Sequence, residues 1–199
     1  MAGCTSVPME YERATTLPGP SGEMGLAAQS TGWFFASPDA AAAGVILNGR
    51  FDGRLGYSPN GWLSFGLQSG LVRGYSTGTE WKGDYYSADV YPYLKVSPYL
   101  ESMRLAAKVS VGYSFTFKQN GNPSVHTKFP NAYADFLIGL GRKEHSTVVI
   151  RLGGTPFLGL GLGYILHVGG LSIAGMVSGF PYIVSGHAGL YLGVAYGTY

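Results

Sequence analysis

Apolar and polar positions alternate without interruption from Met103 to Lys118. The apolar set is Met103, Leu105, Ala107, Val109, Val111, Tyr113, Phe115 and Phe117, and the residues between them are polar or small. Side chains of a strand point to opposite faces with a period of two, so the pattern predicts one β-strand with an apolar face and a polar face. At about 3.3 Å per residue this strand is long enough to cross a bilayer at a tilt.

The same alternation recurs along the chain. Between Val45 and Tyr57, and again between Tyr85 and Val96, large apolar residues occupy one face and polar residues the other. Similar strands are predicted near 23–35, 61–74, 131–142, 145–153, 157–168, 170–178 and 185–198. Together these segments make about ten strands, with eight and twelve as the open alternatives.

The connections between the predicted strands differ in length in a regular way. Short turns follow the even-numbered strands, at 58–61, 98–99, 142–144 and 169–170. The links after odd-numbered strands are mostly longer, at 36–42, 75–83, 119–130 and 179–184, with 153–156 the exception. Membrane barrels have short turns at one end and long loops at the other. The pattern therefore favours an all-β, antiparallel, up-and-down transmembrane β-barrel of ten strands.

Composition supports a membrane protein. Charged residues make up 12% of the chain, whereas a soluble domain has about 25%. The net charge is only +2, and no run of lysine or arginine supports a nucleic-acid partner. The single cysteine excludes an internal disulfide and a cysteine-rich metal site.

Two other folds remain open at this stage. The stretch 152–184 has few ionisable residues and is long enough for a helical hairpin in a membrane. Its many glycines argue against a helix, since each interior glycine weakens one by about 1 kcal/mol. In 157–164 glycine alternates with larger residues, which is typical of a strand whose inner face carries no side chains. A soluble barrel or sandwich is the other alternative.

The amino terminus carries a second membrane signal. Ala2, Gly3 and Cys4 resemble the end of a bacterial lipobox, in which the cysteine is lipidated. The alternative is an incidental cysteine near a disordered end. Residues 5–21 are rich in Pro, Ser, Thr and Gly, which suits a tether. The predicted organisation is a flexible tether with a candidate lipidation site over 1–21 and a transmembrane barrel over 22–199.

The alternating segments from about residue 23 to Tyr199 resemble a small outer-membrane β-barrel of Gram-negative bacteria, combined with a lipoprotein-type amino terminus. This resemblance implies a bacterial outer-membrane location, with outer-membrane lipid and the barrel-assembly machinery as partners. Members of this class end in an aromatic residue with apolar residues at every second position before it. Here Gly197 and Ala195 precede Tyr199 in that register, and the apolar set falls on Tyr196 and Val194 instead.

Enzymatic and metal chemistry find little support. Small outer-membrane barrels include lipid-acting enzymes and proteases, yet the neighbouring residues His145 and Ser146 would point to opposite faces of a strand. His167 and His187 share the inner face but are expected at opposite mouths of the barrel. No metal-ligand or nucleotide-binding motif occurs, so no cofactor is expected.

The inner face is where the remaining chemistry is expected. Its charged positions are Arg50, Asp52, Arg54, Asp89, Lys95, Arg104, Lys108, Lys118, Asp135 and Arg151, together with several tyrosines. The seven bases outnumber the three acids, so a polar, net-positive and largely plugged lumen is expected. We therefore expect a non-enzymatic barrel with a structural, adhesive or scaffolding role, with a protein partner at the loops or tether. The alternatives are a narrow, porin-like pore for small anionic solutes and a lipid-acting enzyme.

Folding the strands about their turns predicts two charged pairs. Asp89 should lie opposite Lys108, and Asp135 should lie opposite Arg151. The long loops, including 75–83 and 119–130, are expected outside the cell, and the turns at 58–61 and 142–144 in the periplasm.

Overall fold

Ten antiparallel strands close into a single barrel in the computed structural model of this protein. The structure describes residues 8–37, 40–77, 82–98, 104–119, 122–141, 144–153, 159–181 and 185–198. The strands are β1 (Gly19–Ser37), β2 (Ala40–Ser58), β3 (Leu63–Thr77), β4 (Lys82–Val96), β5 (Arg104–Gln119), β6 (Asn122–Leu140), β7 (Ser146–Gly153), β8 (Gly159–Val168), β9 (Leu171–Pro181) and β10 (Ser185–Thr198). Each pairs with its chain neighbours, and β1 pairs with β10 to close the sheet. The predicted fold class and strand number are confirmed.

The outer surface of the barrel is apolar. The large side chains that alternation assigned to the outer face are exposed, for example Leu55 at 72%, Met24 at 65% and Leu71 at 62%. The charged side chains between them point inward and are buried. This distribution is the inverse of a soluble protein and matches a barrel whose outer face contacts lipid. Within the described part of the chain, no helix has the length and apolarity needed to cross a membrane.

Exposed aromatic residues lie towards both ends of this apolar surface. Tyr57 and Phe65 pack together at one end, with 6.0 Å between their ring centroids. Tyr75 and Tyr86 lie on the outer face towards the other end, where the guanidinium of Arg73 sits 5.7 Å from the Tyr86 ring. Aromatic girdles at both interfaces are typical of membrane barrels, because such rings are stable at the boundary between lipid and water.

The two ends of the barrel carry different sets of connections. The end where β1 begins and β10 finishes has the links 59–62, 97–103, 141–145 and 169–170, and we call it the near end. The opposite, far end has the links at 38–39, 78–81, 120–121, 154–158 and 182–184. The prediction of long loops at 36–42 and 119–130 is wrong. Strand pairing continues to Ser37 opposite Ala40, and to Gln119 opposite Asn122, so these residues lengthen two hairpins.

The predicted strand registers are right in one place and wrong in another. Asp135 lies opposite Arg151 on β6 and β7, as predicted. Asp89 lies opposite Ser114, and Lys108 lies opposite Lys95, so the predicted Asp89 pair is wrong. The connection from β4 to β5 spans 97–103 rather than a tight turn at 98–99, and this shifts the pairing along the strand. The shift is even-numbered, so the side chains of β5 from Ala106 to Ser114 keep their predicted faces, up to a bulge between Thr116 and Lys118.

The N-terminal residues depart most from the expected organisation. Residues 8–12 and Ala14 are buried inside the barrel, where Met9, Tyr11 and Ala14 are each at most 2% exposed, and Thr15 and Thr16 lie at its near end. They therefore do not form the flexible tether expected for 1–21, and the barrel itself begins at Gly19. Cys4 lies outside the described residues, and its lipidation stays a prediction.

Candidate functional site: the filled lumen

The lumen gathers nearly all the charged residues that alternation assigned to the inner face. The side chains of Arg50, Asp52, Arg54, Asp89, Lys95, Lys108, Asp135 and Arg151 are all buried there. Arg104 is half-buried at the near end, where β5 begins. The side chains of Lys118 and His187 lie outside what the structure describes. The tyrosines Tyr91, Tyr93, Tyr133 and Tyr191 are buried in the lumen.

Residues 8–16, which we call the lumen segment, enter the barrel from the near end. At that end the Thr16 hydroxyl lies 2.8 Å from the Ser97 hydroxyl. Further in, the side-chain amide of Gln68 donates to the carbonyl of Met9 at 3.0 Å, and the Arg151 guanidinium donates to the carbonyl of Pro8. These bonds satisfy backbone groups that the segment buries without any strand partner of its own.

The lumen segment itself alternates between acidic and apolar residues. Glu10 and Glu12 take part in ion pairs, while Met9, Tyr11 and Ala14 belong to the apolar cluster of the lumen. The acidic residues face one side of the lumen, and the apolar residues face the other. The charged wall (β2–β7) supplies the buried bases. The small-residue wall (β8–β10) supplies glycine, alanine and methionine at Gly161, Gly163, Ala174, Met176, Gly193 and Ala195.

Glu10 and Glu12 are the centre of the ion-pair network. The ammonium of Lys108 lies 2.7 Å from a Glu10 oxygen and 3.5 Å from a Glu12 oxygen. The Lys95 ammonium lies 3.1 Å from Glu12, and the Arg54 guanidinium lies 2.5 Å from it. Arg54 and Arg151 reach Glu10 at the longer distances of 3.8 and 4.0 Å. Two carboxylates thus tie together β2, β4, β5 and β7 around the lumen.

The surrounding bases keep Glu12 ionised despite its burial. Burial alone would raise the pKa of the Glu12 carboxyl, because the charged form loses its water. The positive charges of Arg54, Lys95 and Lys108 oppose this effect and bring the pKa down to about 2. Glu12 therefore carries its charge wherever the network is intact.

A third carboxylate, from the barrel itself, fixes the segment at the near end. Glu144, in the link between β6 and β7, accepts from the backbone amides of Ala14 and Thr15 and from the Thr15 hydroxyl. Its own backbone has a φ of +50°. Gly139 provides the space, since a Cβ there would lie 2.8 Å from the Glu144 carboxyl carbon. A buried carboxylate with several hydrogen bonds is well compensated, so this contact anchors the segment.

The small-residue wall makes room for the apolar side of the segment. A Cβ at Gly193 would collide with the Tyr11 hydroxyl, and one at Gly25 would lie 3.0 Å from the Tyr11 ring. The Tyr11 hydroxyl donates to the carbonyl of Leu26 at 3.3 Å. Beside Glu10 and Arg54 a cavity of only about 10 Å³ remains, roughly the space of one water molecule. The segment and the walls therefore fill this part of the lumen.

The arginines of the charged wall have acidic partners on the strands of the barrel. Arg50 binds Asp89 through both terminal nitrogens, at 2.5 and 2.9 Å, and binds Asp52 through Nε at 2.6 Å. Arg54 binds Glu23 of β1 at 2.9 Å. Arg151 binds Asp135 at 2.6 and 2.8 Å. Buried bidentate pairs of this kind compensate the cost of removing both charges from water.

The expected positive excess of the lumen is absent among the described residues. The buried bases are Arg50, Arg54, Lys95, Lys108 and Arg151, and the buried acids are Glu10, Glu12, Glu23, Asp52, Asp89, Asp135 and Glu144. The earlier expectation counted only strand positions of the inner face and placed Glu10 and Glu12 in an external tether. With the lumen segment inside, seven buried carboxyl groups lie among five buried bases.

A buried histidine joins two hydroxyls near the same end. The ring nitrogens of His167 lie 3.0 Å from the Ser172 hydroxyl and 2.9 Å from the Thr147 hydroxyl. Thr147 in turn donates to Glu144 at 3.1 Å. Neither hydroxyl residue has exposed surface, so these hydrogen bonds support the Glu144 anchor from inside the barrel. Among the described residues there is no cluster of His, Cys, Asp and Glu that could hold a metal ion.

The lumen segment is the part of the site that sequence reasoning missed. Its alternation, Met9, Glu10, Tyr11, Glu12, is only four residues long and lies in a region rich in loop-forming residues. One signal was available. The seven bases of the predicted inner face outnumber its three acids, which calls for anionic partners from elsewhere in the chain, and Glu10 and Glu12 lie shortly before the first predicted strand.

Comparisons with known proteins give fold-level similarity alone. No protein family and no curated protein matches the sequence. Among solved structures, the chain is similar to the translocator domain of the autotransporter NalP from Neisseria meningitidis, with 9% identity, a TM-score of 0.49, and coverage of 89% of this chain and 88% of that one. It is similar to the β domain of the Bordetella autotransporter BrkA, with 12% identity, a TM-score of 0.44, and coverage of 89% and 98%. It is also similar to the Yersinia pestis attachment invasion locus protein Ail, with 12% identity, a TM-score of 0.30, and coverage of 92% and 100%. The fold assignment itself rests on the closed sheet of ten antiparallel strands.

Proposed function

We propose that this protein is a barrel of the bacterial outer membrane that its own N-terminal segment keeps closed, with a structural, adhesive or scaffolding role and no enzymatic activity. One observation carries the proposal of a closed barrel. Glu10 and Glu12 bind bases on four strands of the wall, so the lumen segment is fixed in the path that a solute would follow. The apolar outer face supports the membrane location, since it would be unstable in water.

The unequal lengths of the strands support a role at the cell surface. β1, β2 and β6 each have 19 residues, whereas β7 has 8. A tilted strand needs about 9–11 residues to cross a bilayer. The extra residues lie at the far end, where the β1–β2 and β5–β6 hairpins extend furthest. In this proposal the far end faces outside the cell, and these hairpins present a surface to a protein partner.

The closed barrel is tested by conductance in planar bilayers. We expect the full-length protein to insert and to give no discrete current steps. Stable steps from the unmodified protein would contradict the closed barrel and favour the pore. Insertion is verified separately, by the resistance of the strands to protease in the same lipid.

The orientation is tested by protease treatment of whole cells. Lys82, at the far end of β4, is exposed and should be cut from outside. Arg142 and Lys143, in the near-end link between β6 and β7, should be cut only after the outer membrane is opened. Cleavage at 142–143 in intact cells, with Lys82 spared, would reverse the orientation.

The remaining partners follow from this proposal. Outer-membrane lipid contacts the apolar face, and the barrel-assembly machinery inserts the protein. Lipidation of Cys4 is a separate proposal, tested by metabolic labelling with a fatty acid and by Cys4→Ser. Label that persists in the Cys4→Ser variant, or is absent from the native protein, would contradict it.

A further inference from the structure

Two lysines face each other inside the barrel. Lys95 on β4 lies directly opposite Lys108 on β5, and each is only 1% exposed. Like charges at directly opposed positions of neighbouring strands are destabilising. The cost is greater where water is excluded, so this arrangement requires an anion beside it.

The lysines differ from the buried arginines in where their partners come from. Each arginine has an acidic partner on the barrel wall, as for Arg50 with Asp89 and Arg151 with Asp135. The salt bridges that the described residues give to Lys95 and Lys108 all go to Glu10 and Glu12. The Lys108 ammonium otherwise lies 3.4 Å from the Gln68 side-chain oxygen and 4.7 Å from the Tyr93 ring centroid. When the lumen segment is removed, the arginines stay compensated and the two lysines do not.

The lumen segment can leave without opening the barrel. It is joined to β1 at the near end, through which it enters. Facing it, the small-residue wall presents Gly161, Gly163 and Gly193, which have no side chains to fill the space that the segment occupies. Deeper in the lumen than Pro8, polar side chains form hydrogen bonds to the neighbouring strand or to the strand after it. Examples are Tyr191 with Thr31 at 3.5 Å and Asn131 with Tyr91 at 3.0 Å.

We propose that Lys95 and Lys108 form an anion-binding site that Glu10 and Glu12 occupy in the closed barrel, and that the barrel conducts small anions once the lumen segment has left. This inference rests on the proposed closed membrane barrel and adds its gate and its selectivity. The ligand class is a small anion, such as chloride, a carboxylate or inorganic phosphate. The pair Glu10 and Glu12 acts as an internal competitor for it.

The first experiment removes the internal competitor in the full-length chain. In Glu10→Gln/Glu12→Gln the lysines lose their ion pairs, and we expect the segment to leave the lumen. Two readouts follow. Trypsin should cut after Arg13, which in the closed barrel bonds the carbonyls of Glu144 and Gly169 at 3.2 Å each. Planar bilayers should show current steps whose reversal potential in a potassium chloride gradient indicates severalfold preference for chloride.

The second experiment assigns the selectivity. Adding Lys95→Gln and Lys108→Gln to the open variant should preserve conductance but bring the chloride-to-potassium permeability ratio close to one. Inorganic phosphate should block chloride current in the open variant and have at least severalfold weaker effect after these changes. Arg73→Gln is the matched control, because Arg73 lies on the outer face and its removal should leave the selectivity unchanged.

A third experiment restores the gate in trans. A peptide of residues 1–18 added to the near-end side should block the open variant, and the same peptide with Gln at positions 10 and 12 should not.

The outcomes separate this inference from the proposed function. Current from the unmodified protein would contradict the closed barrel. An open variant that is silent after cleavage at Arg13, or that conducts without preference for anions, would overturn the inference and leave the closed barrel standing. Retention of the segment with both carboxylates neutralised, shown by protection of Arg13, would also overturn it, since Glu10 and Glu12 would not be what holds the segment.

Discussion

The charged wall and the small-residue wall hold the same segment by opposite means. The charged wall binds Glu10 and Glu12 through bases that are themselves buried, so each contact depends on its partner being present. The small-residue wall contributes space, through positions such as Gly193 that a larger residue would fill. A change in the charged wall should therefore destabilise the barrel. A change in the small-residue wall should mainly displace the segment.

The largest effect is expected where a wall arginine is lost. Arg50→Ala leaves Asp52 and Asp89 buried without their shared partner. Breaking a buried ion pair from one side costs about 3–5 kcal/mol, because an uncompensated charge remains. We expect the free energy of unfolding in detergent micelles, measured with urea, to fall by about this amount. Arg73→Ala on the outer face should change it by less than about 1 kcal/mol. Equal losses in both variants would contradict the role assigned to the charged wall.

Acid should weaken the charged wall's hold on the segment. The pKa of Glu12 in the closed barrel is about 2, below the ordinary value of 4.5. The stabilisation from its charge is therefore complete above about pH 4.5 and is lost as the pH falls towards 2. Cleavage of the segment by pepsin, followed from pH 5 to pH 2, should accelerate over this range.

Glu12→Gln serves as the control for this pH dependence. Its segment should be cut at a rate that varies less with pH, once the activity of pepsin on an unstructured peptide has been divided out. A native protein whose segment stays protected down to pH 2 would contradict the assignment of Glu12 as a charged ligand.

A smaller effect is expected at the tightest point of the small-residue wall. Gly193→Ala brings a methyl group against the Tyr11 ring and hydroxyl. Overpacking of this kind costs about 1–3 kcal/mol, and the segment can relieve it by moving away. We expect faster trypsin cleavage after Arg13, with urea unfolding of the barrel close to normal. Gly175→Ala is the matched control on β9, where the nearest side-chain atom would be 3.5 Å away. Similar cleavage rates in the two variants would contradict the proposed contact.

The smallest effect is expected on the same wall away from Tyr11. A Cβ at Gly163 would lie 3.3–3.5 Å from the Gly175 carbonyl and from the Val149 and Met176 side chains. Gly163→Ala should therefore change the free energy of unfolding by less than about 1 kcal/mol and leave Arg13 protected. Strong exposure of the segment in this variant would show that the whole wall is tightly matched, and not only the position facing Tyr11.

Alternation predicts which face of the sheet each side chain occupies. It does not predict which residues lie opposite each other on neighbouring strands, because that depends on the length of the connection between them. Leu94 and Lys95 take opposite faces because neighbouring strand residues must do so. Whether Lys108 meets Asp89 or Lys95 depends on how many residues the β4–β5 connection uses, and alternation contains no information on that length. Asp135 and Arg151 were paired correctly because their connection is short.

The candidate site was half predictable for a related reason. The bases of the charged wall could be assigned from strand periodicity, because every second residue of a strand faces the lumen. Glu10 and Glu12 belong to a segment without a hydrogen-bonded neighbour strand, too short to show a periodicity of its own. Its position is determined by the barrel around it, through Lys108, Gln68 and Glu144, and only a three-dimensional arrangement reveals those contacts.

The entry of the segment through the near end has a consequence for the order of assembly. β1 and β10 must pair to close the barrel, and the segment precedes β1 in the chain. Since it enters at the end where β1 starts, no strand pair has to separate for it to occupy the lumen of a closed barrel. Closure of the sheet therefore does not require the segment to be in place when β1 meets β10, and pairing of the strands and filling of the lumen are separable steps.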